Sequence, residues 1–107
     1  MAKEFTDANF QAEVIEASKE KPVLVDFYAP WCGPCKIQGP VVEALADEVK
    51  DWAVAGKLNT EDNQQTAASF GVMSIPTLIV FRNGEAAETM VGLQPQEGLK
   101  VILEKHK

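Results

Sequence analysis

The sequence has few side chains that bind metal ions or form covalent cross-links. Two cysteines, Cys32 and Cys35, and one histidine, His106, are present among its 107 residues. A closed zinc site requires four ligands, so this C-x-x-C pair is more typical of redox chemistry than of half a zinc site. A disulfide stabilises mainly by closing a loop of the unfolded chain, and the loop between these cysteines is too short for a structural bridge to contribute much.

The sequence also lacks an excess of positive charge, a signal-peptide pattern and a long apolar run. The formal net charge is −6, whereas binding to a nucleic-acid backbone relies on clustered lysine and arginine. The first residues contain no apolar signal-peptide core, and no apolar run is long enough to cross a bilayer. We therefore expect a single cytoplasmic domain over residues 1–107 that binds neither nucleic acid nor membrane.

Short apolar runs alternate with helical patterns along the chain, which is typical of an α/β fold. Strands are predicted at residues 23–28, 52–58, 77–81 and 85–91. The Asn83-Gly84 dipeptide predicts a hairpin between the last two. The first run is apolar on both faces apart from Asp26, which indicates a strand buried in the centre of a parallel sheet.

Helical periodicity predicts helices at residues 6–19, 35–49, 64–70 and 96–105. We expect Thr6 or Asp7 to cap the first of them, because short polar side chains accept hydrogen bonds from free N–H groups there. Pro40 lies inside the second and is expected to kink it, since proline lacks an N–H donor and crowds the preceding turn.

The reactive segment is Trp31-Cys32-Gly33-Pro34-Cys35-Lys36, between the buried strand and the start of a helix. Residues three apart on a helix have Cβ atoms about 5–6 Å apart, close to the spacing that a disulfide requires. The pair can therefore cycle between dithiol and disulfide with little backbone movement. Pro34 suits the first helical turn, where its missing N–H would be unpaired, and Gly33 leaves the backbone bare for another chain.

The position of the pair at a helix N-terminus predicts different roles for the two thiols. Free N–H groups and the helix dipole stabilise an anion there, so we expect the pKa of Cys32 to be lowered. Cys35 lies one turn further in and is expected to be more shielded. Our hypothesis is that Cys32 attacks a target disulfide and Cys35 then resolves the mixed disulfide.

Asp26 interrupts the apolar run just upstream of the motif. Burial without a partner would raise its pKa, and it could then accept and return the proton of Cys35. The alternative is an edge position where the carboxylate faces water. Lys57, at the end of another predicted strand, either neutralises Asp26 or is an ordinary surface lysine.

The two tryptophans have different expected roles. Trp31, beside the motif, is either a contact surface for partners or a lid over the active site. Trp52 is expected to pack against the core or a helix flank, because large aromatic side chains are usually substantially buried.

The order and spacing of these motifs resemble those of the thioredoxin family, and the resemblance covers essentially the whole chain. The residues that carry the resemblance are Val25-Asp26-Phe27-Tyr28-Ala29-Pro30-Trp31-Cys32-Gly33-Pro34-Cys35-Lys36, Pro40, Lys57-Leu58-Asn59, Ile75-Pro76-Thr77, Phe81-Arg82-Asn83-Gly84 and Val91-Gly92. The resemblance implies the α/β thioredoxin fold, a central five-stranded mixed sheet flanked by four α-helices. It also implies protein-disulfide reductase activity, with Cys32 as the attacking thiol.

The resemblance further implies the residues of a substrate groove. Trp31, Ile75, Pro76 and Gly92 would line it, with Pro76 in the cis form beside the cysteines. The backbone of Ile75 would pair with an extended substrate segment as an added strand. Asp26 matches the buried acid of the family, with Lys57 nearby.

The implied partners are disulfide-containing target proteins and a thioredoxin reductase. No cofactor would be bound by the chain itself, since electrons would come from NADPH through a flavin-dependent reductase. A monomer is expected. One alternative is an oxidant or isomerase of the same fold, which Gly33-Pro34 disfavours because an isomerase would have histidine after the glycine. The other alternative is a non-catalytic subunit that only binds a partner.

Some positions depart from the common pattern of the family. They are Tyr28, Gln38-Gly39 and Thr60-Glu61-Asp62. Glycine inside a helix costs about 1 kcal/mol relative to alanine, so Gly39 is expected to lower stability. None of these departures touches the cysteine chemistry.

Overall fold

A computed structural model describes residues 1–107, in which five strands form one mixed sheet. The strands are β1 (Lys3–Phe5), β2 (Val23–Tyr28), β3 (Val54–Asn59), β4 (Thr77–Arg82) and β5 (Glu85–Val91). Their order in the sheet is β1-β3-β2-β4-β5. β2 is parallel to β3 and antiparallel to β4. This confirms the five-stranded mixed sheet and a central β2, but the prediction of parallel neighbours on both sides of β2 is wrong.

Four helical segments pack on the sheet, and three of them are α-helices: α1 (Gly33–Glu48), α2 (Gln64–Ser69) and α3 (Gln96–Lys105). The first predicted helix is instead a π-helical segment, Gln11–Glu16, followed by a 3₁₀ turn, Ala17–Lys19. α1 begins two residues before the predicted 35–49 range, because Cys32 forms its N-cap, and Pro40 lies within it.

The two capping candidates near the N-terminus have different partners. The Thr6 hydroxyl accepts a hydrogen bond from the Asn9 N–H at 3.1 Å, but Asn9 lies in the turn before the helical segment. The N-cap of that segment is Phe10, without a side-chain hydrogen bond, so the expected cap is wrong. Asp7 instead accepts hydrogen bonds from the backbone N–H and the hydroxyl of Thr66, at 2.9 and 2.6 Å. Because Thr66 lies in the first turn of α2, Asp7 supplies a cap to a helix far along the chain.

The core is divided between the two faces of the sheet, because successive strand residues point to opposite sides. Leu24 of β2 belongs to the cluster formed with α1 and α3. Val23, Val25 and Phe27 belong to the opposite cluster, which includes Phe5, Phe10 and Phe81. Trp52 is partly buried against the first cluster, which confirms its expected packing role. None of the helices combines the length and the apolar content that a span across a membrane requires.

The short strand β1 lies at the edge of the sheet beside Gly56 of β3. A Cβ atom on Gly56 would come within 2.4 Å of the Phe5 ring and 2.7 Å of the Lys3 carbonyl oxygen. Glycine is therefore required for β1 to lie against β3 and for Phe5 to reach the core. The sequence pattern does not predict β1, since three residues are too few to show strand alternation.

Candidate active site

The two cysteines lie where β2 gives way to α1 and form a disulfide with a Cα–Cα distance of 5.2 Å. Cys32 is the N-cap of α1, with extended backbone dihedrals, and Pro34 lies in the first turn. The backbone N–H of Cys35 donates to the Cys32 Sγ at 3.3 Å. The predicted setting of the Cys32 sulfur among free N–H groups of a helix N-terminus is therefore confirmed.

Exposure does not distinguish the two cysteine residues in this disulfide form. Cys32 and Cys35 are each 5% exposed, so the expectation that Cys35 is the more shielded residue is wrong here. Cys32 is covered from outside the helix by Ile75, which packs against the cysteines and has its carbonyl oxygen 3.8 Å from the Cys32 Sγ. The difference between the two positions lies in the hydrogen bond that Cys32 receives, and not in exposure.

Asp26 lies in the middle of β2 and is 0% exposed. Neither of its carboxylate oxygens has a hydrogen-bond partner. Burial raises the pKa of Asp26 from its ordinary value of 3.8 to about 7, against the opposing effect of the Lys57 charge. Burial is confirmed, and the alternative of an edge position facing water is wrong.

Lys57 lies directly opposite Asp26 on the paired strand β3, yet its ion pair is with another residue. The Lys57 Nζ is 3.0 Å from Oε2 of Glu43 on α1. The other oxygen of Glu43 accepts the backbone N–H of Ala2 at 2.8 Å, and these contacts lower the pKa of Glu43. Lys57 is thus neither a direct partner of Asp26 nor a free surface lysine. Sequence reasoning missed Glu43, because an acidic residue at a partly exposed helix position gives no signal.

Asp26 and Cys35 line one cleft of about 540 Å³ between β2, β3 and α1. Gly39, Glu43 and Lys57 also line it. A Cβ atom on Gly39 would have only the Lys57 Nζ within 4 Å, at 3.9 Å, so glycine is not required there by space. The buried carboxyl group of Asp26 and the second cysteine, Cys35, therefore border the same cleft.

The remaining predicted residues are Ile75, Pro76, Gly92 and Gly33. The peptide bond between Ile75 and Pro76 is cis, as the resemblance implied. The N–H of Gly92 donates to the Pro76 carbonyl oxygen at 2.8 Å, and Gly92 has a φ of +91°, which favours glycine. A Cβ atom on Gly33 would meet no other atom within 4 Å, so the backbone beside Cys32 is bare as expected.

Trp31 is 67% exposed, and its indole N–H donates to the carboxylate of Glu61. This exposure favours a contact surface over a lid. Glu61 belongs to the Thr60-Glu61-Asp62 segment, which differs from the common pattern of the family. One of these differences therefore affects the site, because Glu61 holds the Trp31 side chain.

Exposed apolar side chains lie close in sequence to the predicted groove residues, and sequence reasoning missed them. They are Ile37, Met73, Val91 and Leu93. Met73 precedes Ile75 by two positions, and Val91 and Leu93 flank Gly92. Single exposed apolar residues are common on protein surfaces, so only their closeness in sequence to the predicted site residues distinguishes them.

No cluster of three or more histidine, cysteine, aspartate or glutamate side chains is placed to hold a metal ion.

The thioredoxin family model matches residues 1–105. The thioredoxin of Bacillus subtilis (strain 168) is 48% identical over 101 residues, which cover 94% of this chain and 93% of the relative. The thioredoxin of Staphylococcus haemolyticus (strain JCSC1435) is 50% identical over 101 residues, with the same coverage of 94% and 93%. That of Porphyra purpurea is 48% identical over 101 residues, covering 94% and 92%.

Proposed function

Because this chain belongs to the thioredoxin family and is a protein-disulfide reductase, we propose that Cys32 and Cys35 perform the reaction by thiol–disulfide exchange. The observation that carries the proposal is the disulfide at the N-terminus of α1, with the Cys35 N–H directed at the Cys32 Sγ. Of the two sulfurs, only Cys32 is the N-cap of a helix. This supports its assignment as the sulfur better stabilised as a thiolate.

In the first step the Cys32 thiolate of the dithiol form attacks one sulfur of the target disulfide. A mixed disulfide forms between Cys32 and the target, and the other target sulfur leaves as a thiolate that takes up a proton. The Cys35 N–H and the helix dipole lower the free energy of the attacking anion relative to the neutral thiol.

In the second step Cys35 loses its proton and attacks the Cys32 sulfur, which releases the second target sulfur and forms the Cys32–Cys35 disulfide. We assign the acceptance of that proton to Asp26, which lines the same cleft as Cys35 and has no hydrogen-bond partner. A pKa of about 7 suits a base that must take up and return a proton near neutral pH. Lys57 is assigned the role of limiting that pKa through its charge.

The target binds, in this proposal, as an extended segment across Trp31, Ile75, Pro76 and Gly92. The Ile75 carbonyl lies 3.8 Å from the Cys32 Sγ, so a strand paired with Ile75 would bring its disulfide to the attacking sulfur. The exposed apolar residues around the groove add contact area for side chains of the target.

Disulfide-containing proteins are the targets, and a reductase regenerates the dithiol. We further propose that this partner is a flavin-dependent thioredoxin reductase that takes electrons from NADPH. The chain would then act as a monomeric electron carrier in the cytoplasm, where a pair of exchangeable thiols is kept reduced.

Insulin reduction with dithiothreitol tests the proposal. The parent protein is expected to accelerate precipitation of the insulin B chain, and the Cys32→Ser variant is expected to lose that rate. A Cys35→Ser variant is expected to accumulate mixed disulfides with targets, whereas Cys32→Ser does not. Equal trapping by the two variants would contradict the assigned order of attack, and no rate above background in the parent would point to a binding subunit.

A further inference from the structure

Gln38 is a fully buried polar side chain on α1, at one of the positions that depart from the family pattern. Its Nε2 donates to the Gln94 carbonyl oxygen at 3.0 Å, and its Oε1 accepts the Gln94 N–H at 2.7 Å. Gln94 lies between the end of β5 and the start of α3, outside regular secondary structure. One side chain therefore supplies both backbone hydrogen bonds of Gln94.

The same segment is fixed a second time at Gly92. The Gly92 N–H donates to the Pro76 carbonyl oxygen at 2.8 Å. Pro76 follows Ile75, whose carbonyl oxygen is 3.8 Å from the Cys32 Sγ. Residues 92–94 are thus held between α1 and the loop that contains the cis Ile75-Pro76 bond. Leu93, which is half-exposed, lies between the two anchored positions.

We propose that Gln38 is a positioning residue that sets the geometry of the substrate groove by fixing residues 92–94 relative to the disulfide. The inference rests on the proposed groove and assigns its shape to a residue that no substrate touches. Gln38 acts from inside α1, the helix that also carries the two cysteines. Gln38 therefore connects the side of the groove formed by Gly92 and Leu93 to the helix that positions the two cysteines.

The chemistry of glutamine is specific for this role. An apolar side chain of the same size would fill the space but would leave the N–H and the carbonyl of Gln94 without their partners. An ionised glutamate would accept the N–H but place a negative charge against the carbonyl oxygen. A protonated glutamate would restore both hydrogen bonds, since it carries one donor and one acceptor.

Steady-state reduction of insulin by the Gln38→Leu variant tests the inference. We expect KM for insulin to rise about fivefold, with kcat changed less than about twofold, because the loss of an oriented groove weakens binding of an extended segment and leaves the cysteines in place. The matched control is Gln65→Leu, the same substitution at an exposed position of α2. It is expected to match the parent in both constants.

Amide hydrogen exchange of Gln94 provides a readout that a general loss of stability does not reproduce. Gln38→Leu is expected to speed exchange at Gln94 while core amides of β2 keep their protection. In Gln38→Glu, the amide chemical shift of Gln94 is expected to return towards the parent value as the pH falls and the new carboxyl is protonated. An unchanged Gln94 amide in both variants, or a KM equal to that of the parent, overturns the inference.

A groove variant separates failure of this inference from failure of the proposed groove. Trp31→Ala removes the most exposed of the proposed groove residues. If it raises KM for insulin and Gln38→Leu does not, the groove stands and the role of Gln38 is refuted. If neither variant changes KM, the proposed groove is refuted, and the positioning role is refuted with it.

Discussion

Replacement of Asp26 by asparagine is expected to stabilise the protein at neutral and alkaline pH. The carboxyl of Asp26 is buried in β2 without a hydrogen-bond partner, so the folded protein disfavours its charged form. Asparagine has nearly the same shape and cannot ionise. The substitution therefore removes the free energy of burying a charge and changes the packing little.

The magnitude follows from the two pKa values of Asp26. The pKa is about 7 in the folded protein, against an ordinary value of 3.8 that applies to the unfolded chain. Well below pH 3.8 the group is neutral in both states and has no effect on the free energy of unfolding. As the pH rises towards 7, the unfolded chain ionises first and stability is lost, up to about 4 kcal/mol in total. Above the folded pKa the loss is constant.

Urea unfolding of the disulfide forms of parent and Asp26→Asn protein, at about pH 3.5 and about pH 8.5, measures this difference. We expect the variant to gain about 4 kcal/mol relative to the parent between these two pH values. Comparing the difference at two pH values cancels any constant effect of the amide. A difference that does not change with pH, or that favours the parent at high pH, would refute a raised pKa at Asp26 and with it the proton-accepting role.

Further predictions concern the residues around the same cleft. Lys57→Met is expected to raise the pKa of Asp26 above about 7, because the Lys57 charge is what opposes the effect of burial. Glu43→Gln is expected to lower that pKa, because it releases the Lys57 ammonium from its 3.0 Å ion pair and leaves it free to turn towards Asp26. Titration of the Asp26 carboxyl carbon by NMR measures both, and shifts in the same direction would contradict the competition between the two carboxylates for Lys57. Gly39→Ala is expected to stabilise the protein by about 0.5–1 kcal/mol, because α1 loses a flexible residue and a Cβ there meets only the Lys57 Nζ at 3.9 Å; a lowered melting temperature would show that α1 needs glycine for another reason.

The central elements were predictable because local patterns and tertiary packing agree there. The strand containing Asp26 is a continuous apolar run apart from that residue, and the helix that follows the cysteines has apolar residues at helical spacing. The hairpin at Asn83-Gly84 followed from its turn residues, and β4 and β5 do pair antiparallel. The position of Cys32 near a helix N-terminus followed from the sequence of a strand, a turn and Pro34, but its place as the N-cap residue did not.

Other features depend on partners that are distant along the chain, and sequence patterns do not show them. The cis form of Pro76 came only from the family resemblance, since the isomer of an X–Pro bond is fixed by its surroundings. The sequence marks Gln38 only as a departure from the family pattern. Its contact with Gln94 could not be predicted, because the two residues are 56 positions apart. The pairing of Lys57 with Glu43 likewise depends on how α1 lies over β3.

The position of β1 at the edge of the sheet has a consequence for synthesis of the chain. Lys3 pairs with Gly56, so β1 has a partner that is made about half a chain later. Until β3 exists, Phe5 has no core to enter, and β1 contributes only contacts of long sequence separation, which form slowly. β1 can therefore join the native sheet only after β3 has been made, and until it does so the outer edge of β3 is open to pairing with other chains.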